Sequence, residues 1–124
     1  MSGNRLLDTN ILIYLSKNLL SIEDIAGKDE VLHISIITYM EALGYKFKIP
    51  REKQLITALC KECVVLQLDD KIVAEVIKVR QKFKIKLPDA IIFATAEVHK
   101  LKLITANNAD FKGLSKQVKI INPF

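Results

Sequence analysis

The sequence predicts an α/β protein built on a central five-stranded parallel sheet with helices on both faces. Five short segments rich in Val, Ile and Leu alternate with helical segments along the 124 residues. Most of these strand segments are apolar at successive positions, as expected for strands that are buried on both faces. Parallel neighbours need a crossover, and the intervening segments are long enough to supply one as a helix.

The strands are predicted from apolar and β-branched runs. The first ends in an acid at Asp8, and the second is the mostly apolar run EVLHISII. The five predicted strands cover residues 5–8, 30–37, 63–68, 101–105 and 118–121.

The helices are predicted from periodicity and from their first residues. A helix starts at Thr9, and Pro50 and Pro88 each open a helix at the favoured first position. The last of these helices is apolar almost all round, as expected for a buried central helix. The remaining predicted helices cover residues 21–26, 38–48 and 69–83.

Composition limits the protein classes. Half of the residues are hydrophobic, so we expect residues 1–124 to form one domain around a single core. No apolar run approaches the roughly 20 residues of a membrane span, and the N-terminus lacks the pattern of a signal peptide. A cytoplasmic protein without a membrane partner is therefore expected. The formal charge of +5 favours a polyanionic partner without establishing one.

The two cysteines and two histidines are expected to be structural. Cys60 and Cys63 form one Cys-Lys-Glu-Cys pair without a second pair, so ordinary thiols, at least one of them in the core, are favoured over a redox or zinc site. His33 falls within a predicted strand and His99 near a helix end.

Four acids follow predicted strands or begin helices near one edge of the predicted sheet. In open parallel sheets, sites form beyond the carboxyl ends of the strands. Carboxylates gathered there would repel one another unless a cation neutralised them, and hard divalent cations take oxygen ligands. The acids are Asp8, Glu41, Asp89 and Asp110.

Each acid also has a structural explanation. Asp8 can cap the following helix. Glu41 stands three residues after Thr38, which is the spacing of a capping box in the first turn of a helix. Asp89 suits a helix N-terminus after a proline, and Asp110 suits a turn.

Four segments together resemble a known family. They are residues 6–10 (LLDTN), 35–41 (SIITYME), 87–96 (LPDAIIFATA) and 103–111 (LITANNADF), with 118–123 (VKIINP) resembling a last strand. In this order and spacing they resemble a PIN domain, in particular the VapC-type toxins of toxin–antitoxin pairs. The first and third segments are the specific ones.

The resemblance implies a three-layer PIN-like fold and an endoribonuclease that depends on Mg²⁺ or Mn²⁺. It implies Asp8, Glu41 and Asp89 as metal ligands, and many members carry a further Asp where this chain has Asn107. Asp110 is then the acid left in that segment, and whether it or Asn107 serves the pocket stays open. The implied polar residues beside the metal are Thr9, Asn10, Thr105 and Asn107.

The resemblance also implies a protein antitoxin as partner, and often a homodimer. An antitoxin helix could cover the apolar residues around Ile13, Leu19, Leu20 and Ile25, although these could equally be core.

Two groups of basic residues are candidates for binding the RNA backbone. A solvated helix face and a basic loop explain them equally well. Aromatic residues for base stacking are sparse, and Tyr14, Tyr39, Tyr45 and Phe83 are the suggestive ones. The candidate RNA-binding lysines are Lys82, Lys84 and Lys86 before Asp89, and Lys46 and Lys48 in the second group.

Two other functions remain open from the sequence. A catalytically silent RNA-binding or assembly domain on the same fold would have no need of all three acids Asp8, Glu41 and Asp89. A phosphatase of the haloacid-dehalogenase type would require Asp-x-Asp after the first strand, where this chain has Asp8-Thr9-Asn10.

Overall fold

All five strands pair in one parallel sheet, as the sequence predicts. The computed structural model describes residues 4–111, 113–114 and 117–124. The sheet order is β3-β2-β1-β4-β5, and every pairing is parallel. The strands are β1 (Arg5–Leu7), β2 (Leu32–Ser35), β3 (Val64–Leu66), β4 (Lys102–Ile104) and β5 (Ile120–Ile121).

Five α-helices connect these strands within the described residues. The same part of the chain contains two short 3₁₀ helices, Ile22–Asp24 in place of the short helix predicted over 21–26, and Asn108–Phe111 after β4. In the part of the chain that the structure describes, no helix is long and apolar enough to cross a membrane. The α-helices are α1 (Thr9–Ser16), α2 (Ile36–Leu43), α3 (Pro50–Glu62), α4 (Asp70–Lys82) and α5 (Leu87–His99).

The sheet separates two apolar clusters, which confirms the three-layer arrangement. Successive strand residues point to opposite faces. Leu6 and Leu103 therefore pack with α4 and α5 on one face, where Phe93 is almost fully buried. Leu7 and Ile104 pack with α1 and α3 on the other face, together with Ile56.

The start of α2 differs from the prediction. The helix begins at Ile36, because the Ser35 side chain accepts a hydrogen bond from the Ile37 backbone N–H (3.2 Å) and caps it there. The β-branched pair after Ser35 therefore belongs to a helix, and β2 is shorter than predicted. The explanation of Glu41 as part of a capping box with Thr38 is wrong, since Ser35 is the N-cap and Glu41 lies in the second turn of α2. The helix ends at Leu43 rather than at residue 48.

Strand order brings the ends of β1 and β4 together. The chain runs outward from β1 to β2 and β3, then returns to place β4 on the other side of β1. Leu7 pairs with Ile104, and the Asp8 N–H donates to the carbonyl oxygen of Ile104 (2.9 Å). A crevice at the carboxyl ends of the strands is expected at such a reversal of strand order.

Candidate active site

Asp8 lies at this reversal of strand order and is the most buried of the four acids. The residue is only 5% exposed. Oδ1 accepts a hydrogen bond from the Thr9 N–H (2.7 Å), so Asp8 caps α1 as well as facing the crevice. Oδ2 accepts a hydrogen bond from the hydroxyl of Thr105 (2.6 Å). The structural role and the predicted site position therefore coexist in one residue.

The surroundings of Asp8 oppose its ionisation. Burial raises the pKa of the Asp8 carboxyl above its ordinary value, and the charges of Glu41 and Asp110 raise it further. The hydrogen bonds from Thr105 and the Thr9 N–H lower this pKa and offset part of the increase. The carboxylate is thus held in one orientation but lacks a positive partner among these groups.

Glu41 is held by Thr9 rather than by its own helix. The Thr9 hydroxyl lies 2.7 Å from Glu41 Oε1 and 3.1 Å from the hydroxyl of Thr38. Thr38 is fully buried, whereas Glu41 is exposed. This contact between α1 and α2 holds the exposed carboxylate, and Glu41 lines the same cleft as Asp8.

Asp89 reaches the site from the other helix layer. It lies in the first turn of α5, after Pro88, and is half-buried. Burial is the largest cause that raises the Asp89 pKa, followed by the charges of Asp8 and Asp110. Lys86 lowers this pKa. Carboxylates that are distant in sequence therefore act on one another at one edge of the sheet, as the sequence predicts.

Asn107 and Asp110 occupy different positions in the segment after β4. Asn107 lines the cleft, and its N–H donates to the Thr105 hydroxyl oxygen (3.0 Å). Asp110 is exposed in the 3₁₀ helix, which Phe111 anchors by stacking on Phe93 (6.4 Å between ring centroids). Asp110 acts on Asp8 and Asp89 through its charge.

Three of the four acids line an open cleft of about 480 Å³, and Asp110 is not among its lining residues. Asp8, Glu41 and Asp89 share it with Thr9, Asn10 and Asn107. The sequence did not indicate Ile13 and Lys17 as site residues, and it indicated Tyr14 and Tyr45 only as suggestive aromatics. Helical spacing from Asn10 through Ile13 and Tyr14 on α1 to the C-cap residue Lys17 could have indicated three of the additional lining residues.

The predicted basic residues do not form one surface. Lys86 precedes α5 and acts on Asp89. Lys82 lines a separate cavity with Glu75 and Glu97, and Lys84 lies beside Arg80 along another groove. The exposed residues Lys46 and Lys48 follow Tyr45 in the α2–α3 connection.

The cavity beside Glu97 contains another perturbed carboxyl group. Burial, together with a hydrogen bond and repulsion from Glu75, raises the pKa of Glu97 to about 7. The pair lies on α4 and α5, and Glu97 is near the end of α5 opposite to Asp89. It therefore does not belong to the cleft at the carboxyl ends of the strands.

The remaining site expectations have mixed outcomes. Ile13, Leu20 and Ile25 are buried, so the predicted antitoxin surface is wrong for these three and only Leu19 is exposed. Cys60 is buried and both thiols are free, which confirms at least one core cysteine. His33 lies in β2 and His99 ends α5, as predicted.

The donor set of the cleft suits a hard divalent cation. Within the described residues, no group of three or more His, Cys, Asp or Glu side chains is arranged to hold a metal ion by itself. Mg²⁺ commonly uses one or two carboxylates, keeps several waters and takes further ligands from substrate phosphates. Asp8 and Asp89, whose ionisation is opposed by burial and neighbouring carboxylates, fit this pattern, because a cation would offset the repulsion.

Comparison with known proteins identifies the family. The sequence profile of the PIN domain matches residues 5–117, nearly the whole chain. The chain belongs to the PIN domain family. PIN domains are generally nucleases and generally use divalent metals. This assignment removes the haloacid-dehalogenase alternative.

Solved structures support the PIN assignment. A chain of a toxin–antitoxin complex from Klebsiella pneumoniae is 33% identical, with a TM-score of 0.75, over 97% of this chain and 98% of that chain. A chain of VapBC-1 from nontypeable Haemophilus influenzae is 26% identical, with a TM-score of 0.74, over 97% and 98%. A chain of DNA-bound VapBC from Salmonella typhimurium shares the fold at 20% identity, with a TM-score of 0.81, over 100% of both chains. No curated protein is significantly similar in sequence.

Proposed function

We propose that this PIN domain is a divalent-metal-dependent endoribonuclease that hydrolyses RNA phosphodiesters, and that it is the toxin of a VapBC-type toxin–antitoxin pair. The observation that carries the proposal is the position of Asp8. This buried carboxylate lies at the reversal of strand order, is oriented by Thr105, and faces one open cleft with Glu41 and Asp89.

The acids would hold the metal ion. Asp8, Glu41 and Asp89 face the cleft, and Asp110 adds negative charge that acts on Asp8 and Asp89. When bound, Mg²⁺ or Mn²⁺ activates water and polarises the phosphoryl oxygen. The open cleft would admit an RNA strand and bind one of its phosphates near the acids.

The neighbouring polar groups would position the acids and the substrate. Thr105 and the Thr9 N–H fix the Asp8 carboxylate, and the Thr9 hydroxyl fixes Glu41. Asn10 and Asn107 line the cleft with uncharged amides, which can hydrogen-bond to phosphate or ribose without adding negative charge.

Lys86 is the predicted RNA-binding lysine with the most direct support, because its charge acts at Asp89. Lys46 and Lys48 would extend the contact from the α2–α3 connection. Lys82 and Lys84, which lie along other cavities, would contribute only to more distant parts of a long RNA.

The partner assignment is also part of the proposal. The relative that is 33% identical comes from a toxin–antitoxin complex, which supports an antitoxin partner for this chain. A homodimer, a single domain over residues 1–124 and a cytoplasmic location complete the proposal.

The decisive experiment is RNA cleavage by the purified protein. A structured RNA pool that includes tRNA is incubated with Mg²⁺, with Mn²⁺ or with EDTA. Asp8→Asn is purified identically to exclude a contaminating nuclease, and Asp29→Asn, at an exposed position outside the cleft, is the matched control. Discrete cuts that require metal, vanish in Asp8→Asn and persist in Asp29→Asn support the proposal. RNA binding without cutting under either metal would instead support a catalytically silent RNA-binding domain.

A further inference from the structure

One face of α1, continued by its C-cap residue Lys17, leads away from the acids along the cleft. Asn10, Ile13, Tyr14 and Lys17 recur at the i, i+3, i+4 and i+7 spacing and all line the cleft. At about 1.5 Å per residue, the seven-residue step from Asn10 to Lys17 extends about 10 Å. This is comparable to about three stacked nucleotides at ~3.4 Å each. The cleft is therefore longer than a single phosphate requires.

Aromatic rings line the part of the cleft beyond the acids. Tyr14 from α1 and Tyr45 from the α2–α3 connection both face it. The Tyr14 ring packs edge-on against Phe124, with 5.1 Å between centroids and an interplanar angle of 87°. The Tyr45 ring packs against Phe47 at 4.6 Å and 55°. Each tyrosine is thus supported by a second ring and keeps contact with the open cleft.

Lys17 places a cation beside the ring pair of Tyr45 and Phe47. Its Nζ lies 5.8 Å from the Tyr45 centroid and 5.7 Å from the Phe47 centroid. The same Nζ lies 2.9 Å from Glu52 Oε1 in α3. The hydrogen bond with Glu52 is the largest cause that raises the pKa of Lys17, so the amine stays charged at neutral pH. Tyr14, Tyr45 and Lys17, here called the aromatic wall, therefore combine aromatic faces with a positive charge that is held in place by Glu52.

We propose that Tyr14, Tyr45 and Lys17 bind an unpaired nucleotide of the RNA next to the scissile phosphate. The tyrosines stack on the base, and Lys17 contacts the phosphate of that nucleotide. Stacking on aromatic side chains needs an exposed base face, which a single strand offers and a duplex does not. The position of the scissile phosphate rests on the proposed nuclease function, whereas the aromatic wall itself does not.

Binding of a short single-stranded RNA tests the tyrosines. The probe is a mixed-sequence heptanucleotide with one fluorescent purine analogue that is quenched when it stacks, and it is used in EDTA so that metal-dependent cutting cannot occur. We expect quenching with the wild type, with Tyr14→Phe and with Tyr45→Phe. Tyr14→Leu and Tyr45→Leu lose quenching and weaken binding about 5- to 150-fold each. Tyr39→Leu, on α2 outside the cleft, is the control.

Three results of this experiment would overturn the inference. One is wild-type binding without any change in emission. The second is equal binding of the single strand and of the same sequence in a duplex. The third is equal binding by the leucine variants and the wild type. Folding of every variant is checked by its thermal unfolding, and the phenylalanine variants separate loss of the ring from loss of the hydroxyl.

Lys17 and Glu52 are separated by comparing three glutamine variants. If Lys17 contacts phosphate, Lys17→Gln weakens binding and reduces the slope of log affinity against log salt by about one. Glu52→Gln, which breaks the same ion pair, leaves RNA binding unchanged or stronger. Lys61→Gln is the control at an exposed lysine in the last turn of α3. Equal losses in Lys17→Gln and Glu52→Gln would show a purely structural ion pair and would overturn the role of Lys17.

Failure of the wall and failure of the nuclease give different results. If the wild type cuts RNA and the leucine variants cut it at the wild-type rate with unchanged binding, the nuclease stands and this inference fails. If no RNA is cut with metal but the quenching pattern is as expected, the wall stands and the nuclease proposal fails.

Discussion

The hydroxyl of Thr105 donates a 2.6 Å hydrogen bond to Oδ2 of Asp8, and 97 positions of sequence separate the two residues. Asp8 is 5% exposed and Thr105 is fully buried. This distance is typical of a strong hydrogen bond to an ionised carboxylate. The bond joins the carboxyl ends of β1 and β4, so packing of the sheet and the orientation of the site acid depend on the same contact.

Removal of this hydroxyl is expected to destabilise the protein. Thr105→Val leaves a buried oxygen of Asp8 without its donor, which costs about 1–3 kcal/mol in the free energy of unfolding. The Asp8 pKa should also rise, because the lost bond favours the charged form. Urea unfolding measures the first effect. The second is measured as a shift to higher pH of the acidic limb of the pH–rate profile for RNA cleavage. Thr105→Ser, which keeps the hydroxyl, is the control, and wild-type stability of Thr105→Val would contradict the prediction.

Asp89→Asn is expected to stabilise the protein when no metal is bound. The folded-state pKa of Asp89 is raised above its ordinary value of 3.8, so its stability contribution is full below that value and is lost as the pH rises through the raised pKa. In EDTA at neutral pH, the variant should therefore melt a few degrees above the wild type. The difference should close near pH 4.

Thermal unfolding in EDTA between about pH 4 and 8 checks this prediction for Asp89. Added Mg²⁺ should raise the melting temperature of the wild type more than that of Asp89→Asn, since a ligand of the folded state stabilises it. Asp29→Asn is the exposed control. A variant that melts below the wild type at neutral pH would count against repulsion at this site.

Thr9→Val is expected to weaken metal binding more than folding. The Thr9 hydroxyl lies 2.7 Å from Glu41 Oε1, and Glu41 is exposed, so loss of the contact should cost little stability. Partners that orient metal ligands typically contribute about 10- to 100-fold in metal affinity or activity. Titration of RNA cleavage with Mg²⁺ measures the effect, and Thr9→Ser should restore it. An unchanged Mg²⁺ dependence would mean that Glu41 does not depend on this contact.

Asp110→Asn is expected to retain cleavage but to require a higher Mg²⁺ concentration. Asp110 is exposed and raises the pKa of Asp8 and Asp89 through its charge. Its removal should shift the acidic limb of the pH–rate profile for RNA cleavage to lower pH. It should also reduce Mg²⁺ affinity several-fold. Asn107→Ala, in the cleft, provides the comparison. Complete loss of cleavage in Asp110→Asn, as in Asp8→Asn, would instead show that Asp110 is a direct metal ligand.

The order and type of the main elements could be predicted from the sequence because local patterns encode them. Pro50 marks the start of α3, and the apolar segment after Asp89 identifies the central helix. Apolar runs without alternation indicate strands that are buried on both faces, which requires helices on both sides. These patterns predicted the parallel sheet and placed the acids at one edge.

Element boundaries depend on contacts that local patterns do not encode. The segment after Ser35 has a high β propensity, but the Ser35 side chain caps a helix there. The helix then turns Thr38 inward and brings Glu41 to Thr9, so Glu41 makes a tertiary contact instead of the capping box that its spacing from Thr38 would allow. β propensity is context-dependent, and a capped and packed helix overrides it.

Hydrophobic periodicity and short motifs were enough to predict the fold class and the family resemblance and to mark the four acids as candidates. Which residues meet depends on tertiary packing. Strand order brings Thr105 into hydrogen-bonding contact with Asp8, and the α2–α3 connection brings Tyr45 to the cleft with Lys17. Two lysines that are close in sequence before Asp89 line separate cavities. Periodicity gives the face on which a side chain lies, whereas its partner depends on which distant element packs against that face.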